Sequence, residues 1–270
     1  MITPKAAAFD LDDTLLHNDL SISAYTKEVF HDLSNNGFIL IPSSGRSQMS
    51  MKPFLNQIAT VPIYISCNGA EIWDGNDQLL YRETFSVQQA HEIVAFGREY
   101  NCYAQAYGND RFYYNQKSVF SDRYAATSML SGEYVGDLES FIDEPQTKIL
   151  MMAEEKKISV MLLEAQKRFK GKISVTSSKP YFLEFNSLLA TKGIALSKVS
   201  KTLSIHLHDI IAFGDSLNDL SMLKAAGYSV AVSNARLSVI SQCDSICLSN
   251  EEDGVAHFLS EQVLHKGGSD

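Results

Sequence analysis

The chain has 270 residues, of which 45% are apolar and 20% are charged, and its formal net charge is −9. A chain of this length and composition predicts one large or two modest globular domains. The acidic balance argues against nucleic acid or an anionic membrane as a partner. No apolar run approaches the roughly 18 residues of a membrane-spanning helix.

The cysteines favour a reducing compartment. They form neither a C-x-x-C pair nor a dense framework, so we expect free thiols at Cys67, Cys102, Cys243 and Cys247. The segment after Met1 lacks the long apolar stretch of a signal peptide. Together these features predict a soluble, cytoplasmic protein.

The first part of the chain alternates predicted strands and helices. Short apolar runs predict strands at residues 6–9, 38–41 and 63–67. Helical spacing of apolar residues predicts helices at residues 21–36 and 49–58. This alternation is typical of βαβ units that build a parallel sheet.

The pattern then changes. Residues 70–73 and 78–82 predict a hairpin, and the segment from Ser86 to Gln89 predicts a capping box that opens a helix to Tyr100. Beyond it we predict strands at residues 102–115, 148–152, 174–176 and 181–185, and a helix at 158–169. Residues 120–138 fit no single pattern. We therefore predict that residues 83–186 form an α+β module inserted into the first domain.

Strand–helix alternation resumes near residue 191. Helices are predicted at residues 191–202, 218–226, 235–241 and 255–264, and strands at 210–213, 228–232 and 245–248. Residues 266–270 are expected to fray. The predicted fold class is α/β, with one domain made of residues 1–82 and 187–270 and the insert between them.

The first predicted strand ends in carboxylates. Asp10 and Asp12 are two residues apart, and alternate residues of an extended chain project to the same side. At about 4 Å, two carboxylates repel by about 4 kcal/mol at an effective dielectric constant near 20. A helix N-cap is the simplest interpretation of this segment. If both carboxylates converge on one point, however, a positive group must lie there.

Other predicted strands also end in polar or glycine-rich turns. These turns are Ser44-Gly45-Arg46, Asn68-Gly69 and residues 214–219. Ligands of open parallel sheets bind beyond the carboxyl ends of the strands. We therefore expect Asp10, Asp12 and Asp215 to converge as oxygen donors suited to Mg²⁺. Each of these residues is also acceptable as a cap or turn residue by itself.

Two further features suit an anionic ligand. Ser44 can donate its hydroxyl, and Gly45 allows a backbone amide to approach an oxyanion closely. Lys192 opens a predicted helix, where a cation lies unfavourably close to the positive end of the helix dipole. Taken in isolation, Lys192 is better explained as a surface residue, because it is one of 23 basic residues. Beside a phosphate and a carboxylate cluster, it would neutralise charge.

Together these motifs resemble those of the haloacid dehalogenase-like (HAD) phosphohydrolases, most closely the Cof-type members with a subclass IIB cap. The resemblance rests on residues 10–16, 44–46 with 68–70, 192–193 and 214–223. These motifs span the chain in the order that the family shows. The resemblance implies a Rossmann-like, doubly wound parallel sheet as the core, with an inserted α+β cap domain.

The resemblance also implies roles for individual residues. Asp10 would be the nucleophile and Asp12 the general acid/base. The phosphoryl group would be bound by Ser44, Gly45, Lys192 and Asn218. The Mg²⁺ site would be formed by Asp10, Asp215 and the backbone carbonyl of Asp12. The residues that orient this site would be Ser216, Asn218 and Asp219.

Three positions depart from the family pattern. Asp13 occupies a position where glycine is usual, and we expect the loop to tolerate it. Ser44 replaces the more common threonine and keeps the hydroxyl. Ser233 also stands where glycine is usual, which bears only on its own turn.

The resulting prediction is a Mg²⁺-dependent phosphatase that acts on small phosphorylated metabolites, most of all sugar phosphates, through a phosphoaspartyl intermediate. The partner would be a small-molecule phosphate ester, and the chain a monomer or weak homodimer. A phosphotransferase such as a phosphomutase is an alternative, because it shares the phosphoaspartyl step. A non-enzymatic, phospho-accepting signalling module is a second alternative, but Asp12 and the long insert disfavour it.

Overall fold

The computed structural model describes residues 4–108 and 111–264. The predicted fraying of residues 266–270 therefore falls outside the described part of the chain. Among the described helices, none has the length and apolar character needed to cross a membrane.

The chain begins with the strands and helices of a parallel sheet. Their bounds are β1 (Ala6–Phe9), α1 (Ala24–Asn35), β2 (Ile39–Pro42), α2 (Gln48–Leu55) and β3 (Ile63–Ser66). All residues of β1 and β3 are buried, which explains why these strands show no polar alternation. Ser23 caps α1 by accepting a hydrogen bond from the Thr26 N–H, so the helix begins slightly later than its apolar pattern suggests.

The predicted hairpin follows β3. Strands β4 (Glu71–Asp74) and β5 (Leu79–Arg82) pair antiparallel with each other, and β4 also pairs antiparallel with β3. The Ser44 N–H donates to the Ile65 carbonyl at 2.9 Å. This bond and a parallel bridge between Ser43 and Ile65 set β3 beside the end of β2.

The insert contains its own sheet. Its elements are α3 (Val87–Glu99), β6 (Tyr103–Tyr107), β7 (Arg111–Tyr114), α4 (Val119–Ser128), β8 (Ser131–Tyr134), α5 (Leu138–Phe141), β9 (Ile149–Met152), α6 (Glu155–Arg168), β10 (Ile173–Thr176) and β11 (Phe182–Ser187). The strand order is β10-β11-β9-β6-β7-β8, and only β7 and β8 run parallel. The capping box at Ser86 and Gln89 is present as predicted.

The two faces of the six-stranded sheet in the insert pack differently. One face forms an apolar core with α3 and α6, which includes Phe96, Met161 and Phe185. The other face carries an aromatic cluster that includes Tyr103 and Tyr124. Because alternate residues of a strand point to opposite faces, this second face can present polar side chains to the rest of the molecule.

The last part of the chain completes the parallel sheet. Its elements are α7 (Lys192–Thr202), β12 (Ile210–Gly214), α8 (Leu220–Ala225), β13 (Tyr228–Val232), α9 (Leu237–Ile240), β14 (Ser245–Cys247) and α10 (Gly254–Leu259). The strand order β14-β13-β12-β1-β2 is parallel throughout. Strands from both ends of the sequence therefore pair in one sheet.

The predicted α/β fold with a parallel sheet core and an inserted α+β cap is confirmed. The unassigned residues 120–138 lie in α4, β8 and α5. The helix predicted from residue 218 begins only at Leu220, because Asp219 bonds back to the preceding turn. The division of the chain at residues 83 and 186 stays a prediction.

Candidate active site

The register of the parallel sheet brings several predicted site residues to one edge. Phe9 in β1 is level with Pro42 in β2 and with Phe213 in β12. The residues that follow these three positions therefore emerge together at the carboxyl edge. This edge is where ligands of such sheets bind.

Three buried carboxylates form an acidic group at this edge. Oxygens of Asp10, Asp215 and Asp219 lie within 4.8 Å of one another. The buried Lys192 ammonium donates to Asp10 Oδ1 at 2.5 Å and to Asp219 Oδ1 at 2.6 Å. Lys192 is thus a buried partner of the carboxylates and not a surface residue.

The electrostatics of this group favour a bound cation. Burial raises the pKa of Asp10 well above its ordinary value, although the Lys192 charge opposes the shift. Burial, together with the Asp219 charge, raises the pKa of Asp215 to about 7. The single ammonium of Lys192 faces three carboxylates, so a further positive charge beside this group would be stabilised electrostatically. Carboxylate oxygens at this spacing could hold a divalent metal ion.

Close packing of Gly69 brings Lys192 to the acidic group. Gly69 has φ +96°, and a Cβ there would lie 2.3 Å from the Thr191 carbonyl oxygen. Only glycine accepts both this conformation and this approach. The turn after β3 therefore lets α7 begin directly at the carboxyl edge, and Lys192 is its first residue.

The turn after β12 is held by side chains. Asp219 Oδ2 accepts from the N–H groups of Asp215 at 3.1 Å and Ser216 at 3.0 Å. Asp215 in turn accepts from the Thr14 hydroxyl at 3.2 Å and from the Ser216 hydroxyl at 2.6 Å. These bonds fix the Asp215 carboxylate toward the end of β1.

Asp12 does not join the acidic group. Its oxygens accept from Arg46 Nε and Nη2, each at 2.8 Å, in a bidentate ion pair. Burial alone would raise the pKa of Asp12, but the Arg46 guanidinium lowers it below its ordinary value. Arg46 Nη1 also donates to the Thr127 carbonyl of α4 at 2.8 Å, so this arginine links the core to the insert.

The structure thus differs from the expected convergence of Asp10, Asp12 and Asp215. The rule that alternate residues face the same side requires an extended backbone, and β1 ends at Phe9. Asp12 lies in the turn beyond it, where Arg46 holds its carboxylate. The third carboxylate of the group is Asp219. The expected role of the Asp12 backbone carbonyl stays a prediction.

The remaining predicted phosphate-binding residues surround this edge. Ser44 is fully buried, and its hydroxyl oxygen accepts from the Arg46 N–H at 3.1 Å. A Cβ at Gly45 would lie 2.9 Å from Asn68 Oδ1, so a larger residue would displace that amide. Asn218 donates from Nδ2 to the same Asn68 Oδ1 at 3.0 Å.

The sequence interpretation missed an ion pair in the insert. Lys148 Nζ donates to Glu184 Oε1 at 2.6 Å and to the Gly45 carbonyl at 3.0 Å. The exposed fractions of the two charged side chains are only 3% and 1%. The available signal was a lysine and a glutamate at strand positions that are otherwise apolar, which is unfavourable without a partner.

A cavity of about 420 Å³ separates the acidic group from the insert. Its core side includes Asp10, Asp12, Asp13, Asp215 and Asn218. Its other wall comes from the insert and includes Arg123, Tyr124, Lys148, Lys179, Tyr181 and Glu184. The cavity thus has an acidic floor that suits a cation and an opposite wall that is aromatic and largely basic.

Asp13 allows a test of which acidic residues of the cavity floor are needed for activity. Its φ is +59°, in the region that favours glycine. Asp13→Gly should therefore keep the free energy of unfolding within about 1 kcal/mol of the wild type and leave activity nearly unchanged. Asp13→Val is the matched control, and it should lower the melting temperature because a β-branched residue is strained there. Loss of activity in Asp13→Gly as severe as in Asp215→Asn would contradict this assignment.

Comparisons with known proteins agree with this geometry. A family model for haloacid dehalogenase-like hydrolases matches residues 7–259. The 5-amino-6-(5-phospho-D-ribitylamino)uracil phosphatase YcsE of Bacillus subtilis is 29% identical over 262 residues, which cover 96% of each chain. A solved haloacid dehalogenase-like hydrolase of B. subtilis is 29% identical, with a TM-score of 0.84 over 96% of this chain and 100% of that chain.

The subclass IIB sugar phosphatase BT4131 has the same fold. It is 20% identical, with a TM-score of 0.81 over 95% of this chain and 98% of that chain. The resemblance carried by the sequence motifs is therefore confirmed over nearly the whole chain. The chain belongs to the family of haloacid dehalogenase-like hydrolases.

Proposed function

We propose that this protein is a Mg²⁺-dependent phosphatase that hydrolyses small phosphorylated metabolites through a phosphoaspartyl intermediate. The observation that carries the proposal is the buried group of Asp10, Asp215 and Asp219 around Lys192, of which Asp10 and Asp215 line the cavity. The donor set of this group suits Mg²⁺, which prefers carboxylate, water and phosphate oxygens.

Asp10 would act as the nucleophile. One of its oxygens attacks phosphorus, and the ester oxygen leaves with a proton from Asp12. Because Arg46 favours the ionised form of Asp12, this proton would be the one that Asp12 took from water in the preceding turnover. Water then attacks the phosphoaspartate and gives a proton to Asp12, which releases inorganic phosphate and regenerates Asp10. Asp10 and Asp12 differ in their partners, since Lys192 contacts the first and Arg46 the second. This difference supports separate roles for the two carboxylates.

The charges around the phosphoryl group would be balanced by several residues. Mg²⁺ held by Asp10, Asp215 and the Asp12 carbonyl would stabilise the equatorial charge that develops in phosphoryl transfer. Lys192 contacts both Asp10 and Asp219 and would offset part of the negative charge of the phosphoryl group. Ser44, Gly45 and Asn218 lie around the same edge and would bind or orient that group.

The substrate would be a small metabolite. A cavity of about 420 Å³ accommodates a phosphate ester with one modest organic group. The relative YcsE is named for a ribityl phosphate, which supports sugar or polyol phosphates as the class. Phosphate release should be measured in Mg²⁺ buffer with sugar phosphates, nucleotides, pyridoxal phosphate, flavin mononucleotide and the YcsE substrate. Absence of phosphate release with all of them, or transfer to a second ester without release, would contradict the proposal.

The insert would select among substrates. Arg123 and Tyr181 lie on the cavity wall that the insert forms. Arg123→Ala and Tyr181→Ala should change the ratio of kcat/KM values between two metabolites by about tenfold, and turnover of p-nitrophenyl phosphate much less. Leu163→Ala, at an exposed position on α6, serves as the control. If the two wall variants lowered kcat/KM by the same factor for every substrate, the insert would have only a structural role.

We also propose the cytoplasm as the location and a monomer or weak homodimer as the state. Free cysteines, two of them buried at positions 67 and 102, support a reducing compartment. Sedimentation velocity over a range of concentrations tests the oligomeric state.

A further inference from the structure

A chain of hydrogen bonds runs from the insert to the edge of the core sheet. It begins at Glu184 in β11, both of whose carboxylate oxygens accept hydrogen bonds. Oε1 accepts from Lys148 Nζ at 2.6 Å and from Asn68 Nδ2 at 3.2 Å, and Oε2 accepts from the Ser178 N–H at 3.0 Å. The contact with Asn68 crosses from the insert to the turn after β3.

The insert fixes the direction of the Asn68 carboxamide. An ionised carboxylate can only accept, and the Lys148 charge lowers the pKa of Glu184 although burial opposes this shift. Asn186 offers a second acceptor, because its own Nδ2 already donates to the Cys67 and Thr147 carbonyls. Asn68 Nδ2 donates to both acceptors, at 3.2 Å and 3.3 Å. Asn68 Oδ1 is therefore turned toward the core.

The orientation of the Asn68 carboxamide in turn determines the orientation of the Asn218 carboxamide. Asn218 Nδ2 donates to Asn68 Oδ1 at 3.0 Å, which leaves Asn218 Oδ1 as the free end of the chain. Among the residues that the structure describes, this oxygen has no hydrogen-bond partner, and it is shielded from solvent. A buried acceptor without a donor is destabilising, because it has lost its hydrogen bonds to water. The same side chain lines the cavity beside Asp10 and Asp215.

The backbone of Asn68 is held in an unfavourable conformation. Its φ is +59°, that of Cys67 before it is +51°, and the Asn68 side chain is almost fully buried. A left-handed conformation is less favourable for an L-residue than for glycine, although asparagine tolerates it better than most residues. Glycine would remove this cost but would also remove the carboxamide. The side chain therefore has a use that offsets the strain.

We propose that Asn68 is a positioning residue that couples the Lys148–Glu184 pair of the insert to Asn218. It fixes the direction of the Asn218 carboxamide, whose side chain lines the cavity beside Asp10 and Asp215. The inference rests on the proposed phosphatase function. It goes beyond that function because Asn68 touches neither the phosphoryl group nor the nucleophile.

The first test is Asn68→Gly, which keeps the left-handed backbone and removes the carboxamide. We expect kcat/KM for a phosphate ester to fall by about tenfold or more, in a variant that stays folded at the assay temperature because the relaxed backbone offsets part of the loss of hydrogen bonds. Asn101→Gly is the matched control, because Asn101 has φ +45° in an exposed turn of the insert. It should leave the kinetics unchanged. Wild-type kinetics in Asn68→Gly would overturn the proposal.

The second test exchanges the donor and the acceptor in the hydrogen bond between residues 68 and 184. Asn68→Asp places an acceptor against the Glu184 carboxylate and should also lower kcat/KM by about tenfold. Adding Glu184→Gln restores a donor–acceptor pair and the original net charge beside Lys148. We expect Glu184→Gln to raise kcat/KM of the Asn68→Asp variant by at least about twofold, which is about a third of the tenfold loss on a logarithmic scale. If Glu184→Gln instead lowers activity further in the Asn68→Asp background, the proposal is wrong.

The two proposals can fail separately. If the wild type releases no phosphate from any ester, the proposed function fails. The chain of hydrogen bonds is then judged from the unfolding free energies in urea of the wild type, the two single variants and the double variant. A non-additive double variant would support coupling of Asn68 to Glu184, and additive effects would overturn it.

Discussion

Excess EDTA is expected to abolish phosphate release, and added Mg²⁺ should restore it. The buried carboxylates of Asp10, Asp215 and Asp219 share Lys192 as their ammonium partner, and Asp10 and Asp215 line the cavity. A phosphate ester would bring about two further negative charges into this group. Without a divalent cation, repulsion would oppose both substrate binding and attack by Asp10. Undiminished turnover in excess chelator would contradict the proposed mechanism.

Asp215→Asn tests which carboxylate binds the metal ion. It removes one anionic ligand but keeps the shape of the side chain, so the Mg²⁺ concentration for half-maximal activity should rise by about tenfold or more. Asp143→Asn, at an exposed position in the insert, is the matched control and should leave that concentration unchanged. Isothermal titration of Mg²⁺ into both variants separates metal affinity from catalysis. An unchanged Mg²⁺ requirement in Asp215→Asn would show that the acidic residues are misassigned.

The main features of the fold follow from the sequence because parallel strands are buried on both faces. The runs at Ala6–Phe9 and Ile210–Gly214 are apolar throughout, and each ends in a polar turn at the same edge of the sheet. Residues 120–138 gave no pattern for a physical reason. Helix α4 buries Ser121, Tyr124 and Ser128, and β8 is exposed along its whole length, so neither shows an apolar period.

The candidate site was predictable where the parallel sheet or a local turn determines the geometry. The turn from Gly214 to Asp219 is closed by bonds within itself, and its motif was recognised. Glu184 and Lys148 are 36 residues apart, and the partner of Asp12 is Arg46, 34 residues away. Ion pairs over such separations arise from the tertiary fold, and spacing along the chain does not reveal them.

The two carboxylates after β1 should have separable roles. Asp10→Asn should abolish turnover and any covalent intermediate, because an amide oxygen is a poor nucleophile toward phosphorus. Asp12→Asn should behave differently with an aryl phosphate, whose leaving group is already stable. Formation of the phosphoenzyme would need little acid assistance, whereas its hydrolysis would still need a base.

Asp12→Asn should therefore form the phosphoenzyme rapidly and clear it slowly. Rapid-quench kinetics should show a burst of about one phenolate per active site, followed by a steady state lowered by about 10²–10⁴-fold. Intact-protein mass spectrometry should detect an added phosphoryl group on this variant and none on Asp10→Asn. Asp13→Gly provides the control, since it alters the next position of the same loop without removing a proposed catalytic group.

The contrast between the two variants also tests the geometry around them. Lys192 contacts Asp10 but not Asp12, and Arg46 holds Asp12 with two bonds. An asparagine at position 12 keeps one acceptor for Arg46, so the turn should stay folded while the base is lost. If the phosphoryl group accumulated on Asp10→Asn, or if Asp12→Asn slowed both steps equally with the aryl ester, the assigned roles would be wrong. A burst confined to Asp12→Asn requires Asp10 as the acceptor of the phosphoryl group and Asp12 as the base.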